Sequence, residues 1–182
     1  MKPIGPLMWE HRLIEQIIPL IKNEIKNIEN TKRTNVIFIE KAVDFFRTYA
    51  DRTHHGKEED ILFKALEEKP LSDDLVKIMN ELMDEHTIAR KNVHAILDAR
   101  HEYVNGKDEV IGIILKGLTD LSNLYPVHIE KEDKRFFFPV MEYFTNKEQE
   151  KMLDAFREFD RKMIHEKYQN IMEQLGVRVK RW

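Results

Sequence analysis

The sequence predicts an all-α protein, an antiparallel bundle of four long helices with an additional C-terminal helix, and three observations carry that prediction. Apolar residues recur at three- and four-residue steps through most of the 182 residues. Gly and Pro are few, six of each, so little interrupts those stripes. Finally, a nine-residue pattern occurs twice. His55–Phe63 (HGKEEDILF) and His128–Phe136 (HIEKEDKRF) share the skeleton H-x-x-x-E-D-x-x-F, and each is preceded at similar distance by a Glu-His dipeptide, Glu10-His11 or Glu85-His86. The chain therefore reads as a duplicated half-bundle with four matched positions.

The first helix is expected from about Leu7 to Asn30, with Leu7, His11, Ile14, Ile18, Ile21, Ile25 and Ile28 on one stripe. Pro19 falls inside that stripe, which continues past it, so a kink or local widening is expected rather than a break. The second helix, Asn35 to Glu68, carries Phe45, Thr48, Arg52, His55, Glu59, Leu62 and Leu66 along one face and ends at Lys69-Pro70. Ser72 or Asp73 supplies the N-cap of the third, which runs to about Tyr103 with Leu75, Met79, Leu82, His86, Ala89, Val93 and Ile96 in its seam. Asn105-Gly106 marks a turn. The fourth helix starts near Asp108, aligns Ile114, Leu118, Leu121, Tyr125, His128 and Glu132, and ends around Phe138-Pro139. Thr145 and Glu148 form a capping box for a fifth helix over about 146–175. One domain spanning 1–182 is expected, with the four-helix core at about 7–140.

Composition removes several function classes. A net charge of −3 gives no basic face for nucleic acid, and the basic C-terminus VRVKRW reads as a solvated tail. Without cysteine there is no disulfide, thiolate metal site or iron–sulfur cluster. The N-terminal MKPIGPLMWEH lacks the apolar core of a signal peptide, and no run reaches membrane-spanning length, so a cytoplasmic location is expected.

Short connections between long helices force antiparallel neighbours, so residues equally far from a turn share a level. His11 and His55 flank the first turn with a mismatch of roughly 3 Å at a rise of about 1.5 Å per residue. His86 and the His128–Glu132 pair fall at the same level by the same reasoning. The H-x-x-x-E pair by itself is weak evidence, since His11/Glu15 and His54/Glu58 repeat it. Any one of these histidines, taken singly, reads as a satisfied core or surface residue. Four of them with two acids, in the seams of four helices at one level, read as metal ligands: His11, His55, Glu59, His86, His128 and Glu132. Buried adjacent carboxylates need cations, and a sulfur-free set of imidazoles and carboxylates suits Fe, Mn or Zn, with enough ligands for two ions bridged by the acids. His54, rotated about 100° from His55 on an α-helix, is expected to be near the ligands or at the surface, and Glu58 shares that position. His94, His101 and His165 lie beyond the level of the site. Tyr125, one turn before His128, reads as core packing, or else as a donor beside the ligands or a redox-active phenol.

The order His11, His55-x-x-x-Glu59, His86-x-x-x-Arg90, His128-x-x-x-Glu132 resembles the hemerythrin-like, HHE cation-binding domain, over roughly residues 7 to 140. The resemblance implies an up-down-up-down four-helix bundle holding a non-haem di-iron centre with an oxo or hydroxo bridge. It makes the four histidines terminal ligands and Glu59 and Glu132 bridging carboxylates, with Zn or Mn as substitute metals. Arg90 stands where oxygen carriers of the family have another histidine, and Glu132 where they have an Asp at longer spacing. This pattern is similar to the bacterial and archaeal branch. Iron–sulfur repair members often carry a cysteine-bearing N-terminal domain, which these 182 cysteine-free residues do not include, so that role is less expected.

Three function classes follow from the resemblance: a protein that binds or reacts with O₂, peroxide or NO, or that senses or stores iron; a peroxide-decomposing or NO-handling oxidoreductase; and a metal-dependent interaction module whose protein partner docks on the fifth helix. Neither nucleic acid nor membrane is an expected partner. With four histidines shared between two ions, the ions are expected to be nearly equivalent, which favours redox reaction over reversible oxygen carriage. Arg90 is expected to pair near the centre with a ligating carboxylate or a bound anion.

Overall fold

The computed structural model describes the backbone of residues 2–174 and side chains as far as Ile164, with that of Lys167. The tail Val177–Trp182, the side chain of His165 and the expected end of the fifth helix at Leu175 lie outside the described residues. Helix α1 spans Ile4–Thr31, beginning at Pro3 and passing through Pro19 without interruption. Pro6 falls in the first turn, where no intrahelical partner is required of its nitrogen, and Pro19 faces solvent. The helix closes at Lys32, which adopts a left-handed conformation (φ 56°) and donates its N–H to the Ile28 carbonyl.

The second passage starts as α2 (Val36–Phe45), N-capped by Asn35, whose side chain accepts from the Phe38 N–H. It then widens into π-helix over Phe46–His55 and Glu58–Phe63 before ending as α3 (Lys64–Leu66). Its buried face runs Phe46, Ala50, His54, Glu58, Leu62, Leu66, in unbroken four-residue steps. An ideal α-helix of about 3.6 residues per turn cannot keep that stripe on one side; i→i+5 turns can. The face expected through Phe45, Thr48 and Arg52 is therefore displaced by one residue, and Arg52 is exposed.

Helix α4 (Asp73–Val104) is capped by Ser72, whose hydroxyl accepts from the Leu75 N–H, and stops at Asn105. Gly106 follows with φ 88°, a conformation that favours glycine. After one 3₁₀ turn, α5 (Ile111–Lys131) leads into a π turn (Glu132–Phe136) and the short α6 (Phe137–Met141). Helix α7 (Asn146–Gln174) begins at the capping box: Thr145 N–H donates to Glu148 and Glu148 N–H to Thr145 Oγ1. The four passages form the antiparallel bundle, α1 against α5 and α4 against α2 and α5. Gly117 permits the α4–α5 approach, since a Cβ there would lie 2.5 Å from the Ile96 side chain.

Two apolar cores fill the bundle. One gathers Ile14, Ile21, Val43, Phe46, Ile96 and Leu121; the other, at the opposite end, gathers Leu7, Phe63, Leu82, Phe136, Phe137 and Phe156 of α7. Between them lies one polar layer, buried on all sides: His11, His54, His55, Glu58, His86, His128 and Glu132 are each at most 2% exposed. Among the described residues no helix is long and apolar enough to cross a membrane.

Candidate metal centre

The seven polar side chains of that layer form two groups whose ligand atoms lie within 4.8 Å of one another: His55, His86 and His128; and His11, His54, Glu58 and Glu132. The two acids, members of the second group, also reach towards the first. Glu58 directs Oε1 towards His54 Nε2 (3.4 Å) and Oε2 towards His86 Nε2 (3.5 Å). Glu132 directs Oε2 towards His11 Nε2 (3.0 Å) and Oε1 towards His128 Nε2 (3.4 Å). The ring nitrogens also converge, with His11 Nε2 2.9 Å from His54 Nε2 and His86 Nε2 3.2 Å from His128 Nε2. Among the described residues, all four oxygens of Glu58 and Glu132 and the Nε2 of His55 are buried without a hydrogen bond. Buried polar atoms left so are expensive, and cations between the groups would satisfy all of them.

The outer nitrogens explain why the inner ones point together. His11 Nδ1 bonds Asp133 (2.8 Å), His54 Nδ1 bonds Glu10 (2.9 Å), His86 Nδ1 bonds Glu59 (2.6 Å) and His128 Nδ1 bonds Glu85 (2.8 Å). His55 Nδ1 has a longer contact to Asp51, 3.4 Å. Each of these carboxylates is in turn held by a cation: Asp133 by Arg12, Glu10 by Lys57, Glu59 and Asp51 by Arg90, Glu85 by Lys131. An imidazole donating from Nδ1 to a carboxylate presents the Nε2 lone pair inward, the arrangement found behind metal-ligating histidines.

Without a cation the layer is electrostatically strained. Burial, then the contact with Glu132, pushes the Glu58 carboxyl well above the usual carboxylate range. Burial acts on Glu132 in the same direction, but His128, His11 and His86 outweigh it and hold that group low. Two carboxyls in contact are thus pushed in opposite directions, Glu58 up and Glu132 down. Burial and the neighbouring imidazoles lower His54 and His55. For His11 burial is outweighed by Asp133 and Glu132, which push it up to about 9.

Of the six residues expected to ligate, the structure brings His11, His55, His86, His128 and Glu132 into the layer and leaves Glu59 out of both groups. Glu59 instead accepts from His86 Nδ1 and from Arg90 Nη2, with its side chain a quarter exposed. The π turns explain the displacement: in the wider helix His54 and His55 both face inward, and the carboxylate one turn on is Glu58. The layer holds five histidines, divided three and two between the groups, where four were expected there, so the two groups are not equivalent. Arg90 pairs with Glu59 and Asp51 rather than with Glu58 or Glu132. Tyr125 is buried against Phe46 (ring centroids 5.0 Å apart), with its centroid 6.3 Å from that of His55. The roles of Glu10 and Glu85 were hidden in plain sight, since each Glu-His dipeptide sends its acid to a histidine on the next passage. Aligning His54-x-x-x-Glu58-Glu59 with His128-x-x-x-Glu132-Asp133 matches both outer acids as well, and was the available signal.

A family model, the Hemerythrin HHE cation binding domain, matches residues 3–138. No curated protein and no solved structure matches the chain. The match covers all four passages that carry the polar layer, ends inside α6 and leaves α7 beyond it. With two buried groups of imidazoles and carboxylates inside the matched residues, the chain is a metal-binding helical bundle and belongs to the hemerythrin HHE cation-binding domain family.

Proposed function

We propose that the chain holds a pair of iron ions, one in each ligand group, with Glu58 and Glu132 as the bridging carboxylates. The terminal imidazoles in this reading are His55, His86 and His128 on one side and His11 and His54 on the other. The observation that carries it is that each buried acid offers one oxygen to each group. Zn or Mn would suit the same nitrogen and oxygen donors. When bound, an iron pair supplies ligand-binding and redox chemistry towards O₂, peroxide or NO.

The chain's own contribution is orientation, dryness and access. Five carboxylates hold the imidazoles, and the two apolar cores exclude water from above and below. Access is offered by a cleft of about 150 Å³ between the second passage and α4, reaching His55 and Tyr125 and rimmed by Asp51, Arg90 and His94. That volume admits a few small molecules, each the size of a water at about 30 Å³. This supports a small-ligand protein, binding or reacting with its ligand, over a module that reads metal occupancy alone.

The test is metal content per chain after anaerobic purification and iron reconstitution, with the near-ultraviolet and visible spectrum before and after air. Two ions per chain and an air-dependent spectrum are expected. One ion or none refutes the paired centre, and a spectrum indifferent to air, peroxide and NO refutes the ligand reading.

A further inference from the structure

Helix α7 lies outside the family match yet reaches the ligand layer through one buried side chain. Lys57, between the two π segments, is 0% exposed, and its ammonium is held by Glu10 of α1 and by Asp160 of α7 at 2.7 Å. Glu10 gives its other oxygen to His54 Nδ1 at 2.9 Å. Asp160, Lys57, Glu10 and His54 therefore form one continuous chain of charge-assisted hydrogen bonds from the surface helix to a ligand. The neighbouring contacts press α7 onto the same stretch. Phe156 lies under the Lys57 ammonium, 6.0 Å from ring centre to nitrogen. Phe159 covers Gly56, where a Cβ would come within 2.7 Å of the ring.

A buried ammonium facing one carboxylate is sensitive to the loss of any further partner. Asp160 is that further partner, and it comes from outside the four-helix core. On the other side of the layer the equivalent cation, Lys131, is matched by Glu85 and Glu81 of α4, with no partner from α7 among the described residues.

We propose that α7 is part of the metal centre: Asp160 and Lys57 are positioning residues that hold Glu10, and through it the His54 imidazole, in the orientation that binds the cation of the His11, His54, Glu58 and Glu132 group. This rests on the two-cation reading above. Its consequence is selective, because among the described residues the His55, His86 and His128 imidazoles are held by Asp51, Glu59 and Glu85 and not by α7.

The experiment titrates full-length protein with Co²⁺, following metal content and the visible absorption of each ion. Asp160→Asn alters a half-exposed side chain and tests the outer end of the relay. Lys57→Met is made together with Glu10→Gln, so that no buried carboxylate is stranded. The Asp154→Asn variant, whose Asp154 pairs only with exposed Arg157 among the described residues, is the control on α7. Asp160→Asn and the double variant are each expected to weaken one of two Co²⁺ sites by about 10–100-fold and to change that ion's absorption, with the second site and the control as in the wild type. Unchanged affinity and absorption at both sites overturn the proposal. So does equal weakening of both sites, the mark of a general packing role. Wild-type protein that takes up fewer than two Co²⁺ overturns the two-cation reading, and this proposal with it.

Discussion

Replacing Glu58 by Gln should stabilise the metal-free protein and abolish two-ion loading, whereas Glu59→Gln should leave two ions loading, more weakly, and give no metal-free stabilisation. The metal-free prediction follows from the sign of linkage. Burial raises the Glu58 carboxyl above its unfolded value, so its contribution is favourable below the unfolded range and is lost as pH rises through the raised value. At neutral pH the buried acid, whose oxygens accept no hydrogen bond among the described residues, is a liability of about 1–3 kcal/mol. A neutral amide of the same shape relieves it. In the loaded protein the substitution removes one bridging carboxylate. Metal at about a thousand times its Kd adds about 4 kcal/mol to the folded state. At roughly 2–4 °C per kcal/mol for a chain of this size, its loss lowers the melting temperature by about 8–16 °C. Glu59→Gln removes partners of His86 and Arg90, which should weaken metal affinity about 10–100-fold and slightly lower the metal-free melting temperature. Scanning calorimetry with and without chelator, together with metal analysis, reads all four quantities. If Glu58→Gln still loads two ions while Glu59→Gln does not, Glu59 is the bridge and the register argued from the π turns is wrong.

Three further outcomes are expected. Glu85→Gln, which removes the acceptor of His128 Nδ1 and a partner of Lys131, should weaken the cation of the three-histidine group about 10–100-fold, while His94→Ala at the cleft rim leaves metal content unchanged; loss of metal from His94→Ala would contradict the assignment. Metal loading should release protons and weaken as pH falls below neutral, because protons compete for Glu58, raised by burial, and for His11, held at about 9; a pH-independent Kd between pH 5 and 8 would count against it. Gly56→Ala should lower the melting temperature by a few degrees, since the Phe159 ring must move to admit the methyl group, with an overpacking cost of about 1–3 kcal/mol; an unchanged melting temperature would mean that α7 is not seated there.

Sequence periodicity alone determined the all-helical class, the four long passages and the fifth helix, because regular α stripes in α1, α4 and α5 repeat on a constant turn. The same regularity placed His11, His86, His128 and Glu132 correctly in one layer, since each lies on an undistorted α seam or at its end. The Thr145–Glu148 capping box and the Asn105-Gly106 turn were legible for a similar reason: both are local chemistry, complete within a few residues. The second passage was different. Its conversion to π-helix over Phe46–His55 and Glu58–Phe63 is carried by no single residue, and an α phase projected through it turns Glu59 inward in place of Glu58. The repeat marked the outer carboxylates but not their partners, because Glu10, Glu85 and Asp133 act on histidines 44, 43 and 122 residues away. Only the packed bundle sets those partners side by side. There the low dielectric of the interior and the two flanking cores decide which acids are matched to a Lys or Arg and which are driven into the layer of imidazoles between.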